Sequence, residues 1–118
     1  TGTLASGLKC QSYQEHELQE MIDSMSQLNN IMDSLDRHHL DAIHAATDIT
    51  GFGLAGHAMQ MAKESRCSFC IAHRELPLFS LTRSSLEKQQ LTKAHKNNWD
   101  YTKEYIQILN TLETNFLM

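Results

Sequence analysis

Proline occurs once, at Pro77, among 118 residues, and cysteine only three times. Cys10, Cys67 and Cys70 are too few and too scattered for a disulfide scaffold, which fits a reducing compartment. Apolar runs are short, so a membrane span is not expected. Ten Lys+Arg against fourteen Asp+Glu give a formal net charge of −4, and with no basic cluster there is no electrostatic footprint for nucleic acid. The start carries neither an initiator Met nor a charged-then-apolar signal segment, so a cytoplasmic address is expected, an internal start being equally consistent. Five histidines, His38, His39, His44, His57 and His73, flank the centre of the chain, yet no H-E-x-x-H or Cys₂His₂ spacing accompanies them. They are read as surface or capping residues rather than zinc ligands.

What is present is organised around residues 47–57, Thr47-Asp48-Ile49-Thr50-Gly51-Phe52-Gly53-Leu54-Ala55-Gly56-His57. Ala45 and Ala46 make a short apolar entry, and Leu54, Ala58, Met61 and Ala62 recur at helical spacing up to Ser65. The pattern predicts strand, tight turn, helix. Gly51 and Gly53 can take positive φ and admit a group close to the backbone, while the free N–H groups of a new helix attract anions. Asp48 would repel a bare phosphate there. A hard cation resolves the conflict, because Mg²⁺ takes oxygen ligands and shares them with substrate phosphates. The expectation is a Mg²⁺–phosphate site, with Asp48 as metal ligand and Thr50, Gly51 and Gly53 around the phosphate.

Two other readings of the same residues stand beside it. Asp48 or Thr50 could cap the helix and satisfy its orphan N–H groups. Gly51-x-Gly53-x-x-Gly56, with Glu75 about twenty residues further on, also matches the dinucleotide fingerprint. Against that match, Thr47, Asp48 and Thr50 crowd a turn whose incoming strand is normally apolar.

Along the rest of the chain, Gly2 and Gly7 flank a short segment read as a plain helix start. Leu18, Met21, Ile22, Met25, Leu28, Ile31, Met32 and Leu35 predict one amphipathic helix from Gln14 to Leu35. It is read as core, with an exposed methionine-rich groove for a partner, in a non-enzymatic helical module, as the alternative. Leu40 to Ile43 reads as a helical turn. Cys67 to Ala72 predicts a second strand, which would put Cys67 and Cys70 on opposite faces and speaks against a redox or zinc role. Pro77 marks a turn, and residues 82–90 a short helix and loop. Leu91 to Asp100 has no clear period and reads as a mobile loop, a lysine-bearing lid being the alternative. Tyr101, Tyr105, Ile108, Leu109, Leu112 and Phe116 then predict a final helix.

Residues Thr47 to His57 resemble the Thr-Asp-Val-Thr-Gly-Phe-Gly-Leu-Leu-Gly-His signature of selenide, water dikinases (selenophosphate synthetases), with Ile49 for Val and Ala55 for Leu. Thr1 to Ser6 resembles the segment following that family's Lys-Pro-Leu-Gly, and Met25-x-x-Leu28-Asn29 a second upstream element. The resemblance runs from Thr1 to about Phe79 and is loose beyond.

It implies a C-terminal domain of the aminoimidazole ribonucleotide synthetase-like type, 1–118 being a single, incomplete domain. The expected class is α+β in α/β layers, helix-rich with few strands and truncated, since two strands cannot bury a sheet. It also implies phosphoryl transfer from ATP to selenide, releasing AMP and phosphate, with Mg²⁺ held by Asp48. The catalytic Cys or selenocysteine and its Lys would lie in an N-terminal domain of the same enzyme, a homodimer, so no catalytic residue is expected here and the isolated chain should be inactive.

Overall fold

The computed structural model describes residues 1–109, and these are helical with no strand among them. Six α-helices follow in order: α1 (Gly2–Lys9), α2 (Gln19–Ser26), α3 (Arg37–Asp41), α4 (Gly53–Ser65), α5 (Thr82–Glu87) and α6 (Lys93–Thr102). Short 3₁₀ turns at Glu15–Leu18, Ile31–Ser34 and His73–Glu75 lie between them.

The first core forms where α1 meets α5. Leu4, Tyr13, Leu18 and Met21 are buried together, with Ile22, Phe79 and Leu81 packed against them. Gly7 is needed at this contact, because a Cβ on it would stand 2.7 Å from two carbons of the Tyr13 ring. Tyr13 is therefore core, although its neighbours Gln11 and Ser12 are polar and exposed. Its hydroxyl meets the Ser85 hydroxyl of α5 at 2.8 Å, which satisfies two polar groups that burial would otherwise leave costly.

A second packing unit joins α4 to α6. Ala55, Gly56 and Met59 of α4 and Asn98 and Thr102 of α6 are buried. Here the structure corrects the loop expected over Leu91 to Asp100. Thr92 in extended geometry (φ −77, ψ 160) starts a helix of ten residues. Its hidden face is polar, with the Thr102 hydroxyl donating to the Asn98 carbonyl at 2.8 Å, so apolar periodicity could not register it. The final helix expected from Tyr101 is likewise displaced. Tyr101 and Thr102 end α6, residues 103–105 turn, and Leu112 and Phe116 lie outside the described residues.

The single helix expected from Gln14 to Leu35 is broken. α2 stops at Ser26, whose hydroxyl bonds back to the Ile22 carbonyl at 2.9 Å, and Gln27 turns extended at φ −76, ψ 141. Asn29 and Asn30 follow, residues whose short amides favour turns over helix. Leu18 and Met21 are core as expected, whereas Met25, Leu28, Ile31 and Met32 are exposed, Leu28 by 83%. The strands expected before Thr50 and over Cys67 to Ala72 are irregular here, without ladder partners among the described residues. The layered sheet is thus not seen in them, and the helix-rich part of the expectation is. α4, α5 and the helical start at Gly2 fall where the sequence puts them.

Candidate functional site

The approach to α4 is a four-residue turn. The Gly53 N–H donates to the Thr50 carbonyl at 3.0 Å, and Phe52, its third residue, sits at φ −82, ψ −6, as a type I turn requires. Gly53 has φ 70, a conformation that glycine adopts without strain. Gly51 is not at positive φ, and a Cβ there would meet nothing within 4 Å. Of the two glycines expected to shape this bend by conformation, only Gly53 does so.

Phe52 fixes the turn against both helices. Its ring lies 5.8 Å from that of Tyr101 on α6 and 5.9 Å, edge-on, from that of His57 on α4. Gly56 admits it, since a Cβ at Gly56 would lie 2.8 Å from the Phe52 Cβ. The third glycine of the G-x-G-x-x-G pattern therefore serves a contact inside the chain. Its first glycine follows no strand among the described residues.

Asp48 is exposed. Its carbonyl accepts from the Thr47 hydroxyl at 3.1 Å, while its carboxylate has no hydrogen bond or ion pair among the described residues. It caps nothing. The N-cap position of α4 is Phe52, and no side chain caps that helix, so the capping alternative for Asp48 and Thr50 is not realised. Thr50 instead turns toward His57. Its N–H donates to His57 Nε2 at 3.2 Å, and its hydroxyl lies 3.2 Å from the same nitrogen.

On the other side Asn98 is buried, and its Nδ2 donates to the Gly51 carbonyl at 2.9 Å. Neither His57 nor Asn98 stood out in the sequence as a site residue. His57 closes the motif one helical turn after Gly53, which was its only signal; Asn98 had none.

One unpartnered carboxylate five positions ahead of a helix without a side-chain cap is the kind of oxygen donor Mg²⁺ takes from a protein when substrate phosphates supply the other oxygens. Among the described residues, no group of three or more His, Cys, Asp or Glu could hold a metal by itself. Cys67 and Cys70 are exposed free thiols. They line a broad open groove that runs along α4 from Ala55 to Lys63, with Phe69 and Tyr105, and neither Asp48 nor Thr50 is among its lining residues. Glu75 borders the same groove, away from the turn.

Residues 3–94 match the family model described as AIR synthase related protein, C-terminal domain. The chain is similar to a protein of Bdellovibrio bacteriovorus named selenide, water dikinase, 45% identical over 119 residues that cover 99% of this chain and 34% of that one. A selenide, water dikinase of Nitrosomonas eutropha is 47% identical over 106 residues, covering 90% of this chain and 30% of its own length. One from Dechloromonas aromatica is 32% identical over 112 residues, 95% and 32% of the two chains. The chain thus spans about a third of the length of the curated relatives it matches.

Proposed function

The chain belongs to the family of AIR synthase related proteins, of which it carries the C-terminal domain, and from that premise we propose that it works within a selenide, water dikinase. The reaction would convert ATP, selenide and water to selenophosphate, AMP and phosphate. This chain would contribute a Mg²⁺–nucleotide phosphate site to it. The observation that carries the reading is Asp48, an exposed carboxylate without a partner among the described residues, five positions before the first residue of a helix whose first amides no side chain caps.

Each residue has a defined task. Asp48 holds the metal by oxygen. Gly53 turns the backbone into α4, and the first-turn amides of that helix, Leu54 and Ala55 among them, offer donors to phosphate oxygens. Thr50, with its hydroxyl at His57, and Gly51 border the same space. Mg²⁺, when bound, would neutralise phosphate charge, the effect on which phosphoryl transfer chiefly depends. The nucleophile-handling Cys or selenocysteine would come from an N-terminal domain, so this chain alone is expected to be inactive.

Residues 45–50 and 67–72, which have no ladder partners among the described residues, would complete a sheet of the α+β layered type within the whole domain. The apolar run Met25, Leu28, Ile31 and Met32 supports a covering surface from the rest of the enzyme. A cytoplasmic homodimer is the assembly this reading expects.

The test is calorimetric. Whole enzyme carrying this chain is titrated with Mg·ATP and then with NADH, beside its Asp48→Asn variant. Binding of Mg·ATP that Asp48→Asn weakens, with no heat from NADH, supports the site. Unchanged Mg·ATP affinity and turnover in Asp48→Asn would remove it.

A further inference from the structure

We propose that His57 and Asn98 are positioning residues that hold the Thr50–Gly53 turn from two helices and so set where Asp48 presents its carboxylate. The inference rests on the reading of Asp48 as a metal ligand. Mg²⁺ demands near-ideal octahedral geometry, so a ligand on a loosely held segment is a poor one. The residues from His44 to Thr50 lie outside any helix. His57 and Asn98 join the Thr50–Gly53 turn at the end of this segment to α4 and α6, and the Phe52 ring lies against Tyr101.

The two polar tethers are chemically distinct. His57 Nε2 has one lone pair, and the Thr50 N–H donates into it at 3.2 Å, with the Thr50 hydroxyl sharing the same nitrogen at 3.2 Å. That arrangement requires a neutral ring with its proton on Nδ1. It also occupies a backbone N–H two residues beyond Asp48 that no helix uses. Asn98 is 7% exposed and spends a side-chain donor on the Gly51 carbonyl at 2.9 Å, across 47 positions of sequence. A buried amide aimed at a turn carbonyl fixes position, because breaking the bond leaves both groups short of partners. Outer partners of this kind, acting through a ligand's support, typically change metal affinity by about 10–100-fold.

Two readouts test the proposal. In the ¹⁵N-labelled whole enzyme, long-range ¹H–¹⁵N spectra are expected to show His57 protonated on Nδ1, with the Thr50 amide protected from exchange and its protection lost in His57→Phe. An Nε2-protonated ring overturns the assignment, since that nitrogen could not then accept. In the whole enzyme, His57→Phe keeps an aromatic ring beside Phe52 and removes the acceptor. It should raise the Mg²⁺ concentration needed for half-maximal rate by about tenfold, with kcat at saturating Mg²⁺ preserved.

His57→Gln, which restores an acceptor, should return that value to within about threefold. Should His57→Phe not fold, Asn98→Ser reads the second tether by the same shift. Folded variants with the unaltered Mg²⁺ requirement overturn positioning. If Asp48→Asn is inactive while His57→Phe and Asn98→Ser are unaltered, positioning alone fails. If Asp48→Asn is itself fully active, the metal reading beneath it has failed.

Discussion

Tyr13 and Ser85, 72 positions apart, meet hydroxyl to hydroxyl at 2.8 Å inside the core between α1 and α5. Ser85 is fully buried and Tyr13 nearly so, so neither has water to fall back on. Tyr13→Phe should cost about 1–3 kcal/mol, the range for stranding a buried hydroxyl. The double variant Tyr13→Phe with Ser85→Ala should recover part of the loss. Urea unfolding of the four proteins gives the coupling directly, and purely additive costs would deny the bond.

The glycines separate into two kinds by what a methyl group would meet. Gly56→Ala places a Cβ 2.8 Å from Phe52 Cβ and Gly7→Ala one 2.7 Å from the Tyr13 ring. Each should destabilise by about 1–3 kcal/mol, although alanine is the better helix former. Gly51→Ala meets nothing within 4 Å, and its stability should stay within about 0.5 kcal/mol of the parent. Thermal melts of the three variants decide this. A loss of Mg·ATP binding in Gly51→Ala would then report the ligand's approach and not the fold.

Glu20 ties α2 to the segment before α5, its carboxylate accepting from the Ser80 N–H at 2.9 Å and the Ser80 hydroxyl at 2.8 Å. The backbone bond first, then the hydroxyl, hold its pKa below the ordinary 4.5. A depressed folded-state value means the contribution is present above the unfolded-state pKa and is lost as pH falls through the lower folded-state one. Melting temperature should therefore drop on acidification below about pH 4.5, and Glu20→Gln should flatten that part of the profile. An unchanged acid limb in Glu20→Gln would show that the contact carries no linkage.

Met25, Leu28, Ile31 and Met32 present apolar side chains to solvent, 46 to 83% exposed. A patch of this kind binds hydrophobic dyes. The 118-residue chain should enhance dye fluorescence, and replacing Leu28 and Ile31 together by Ser should reduce it with no change in the unfolding midpoint. In the whole enzyme the same pair of changes should instead lower stability, because the proposed covering surface would lose its contacts.

Local pattern determined a good deal here. Leu54, Ala58, Met61 and Ala62 repeat with the period of a helix, so α4 was legible without knowing what it packs on, although the residues it buries are Ala55, Gly56 and Met59. The run from Thr47 to His57 carried the family through residue identity alone. What tertiary structure decided is wherever burial is polar or the partner is distant in sequence.

α6 hides Asn98 and Thr102, a face invisible to any search for apolar spacing. Tyr13 is core because Ser85 stands opposite it. The run from Met25 to Met32 had the right period yet found no partner among the described residues, since periodicity records a capacity to be buried and not the surface that buries it. His57 and Asn98 matter through single donors and acceptors that converge on one turn from two helices. Hydrogen bonds are directional and short, so only the folded chain determines which groups they join.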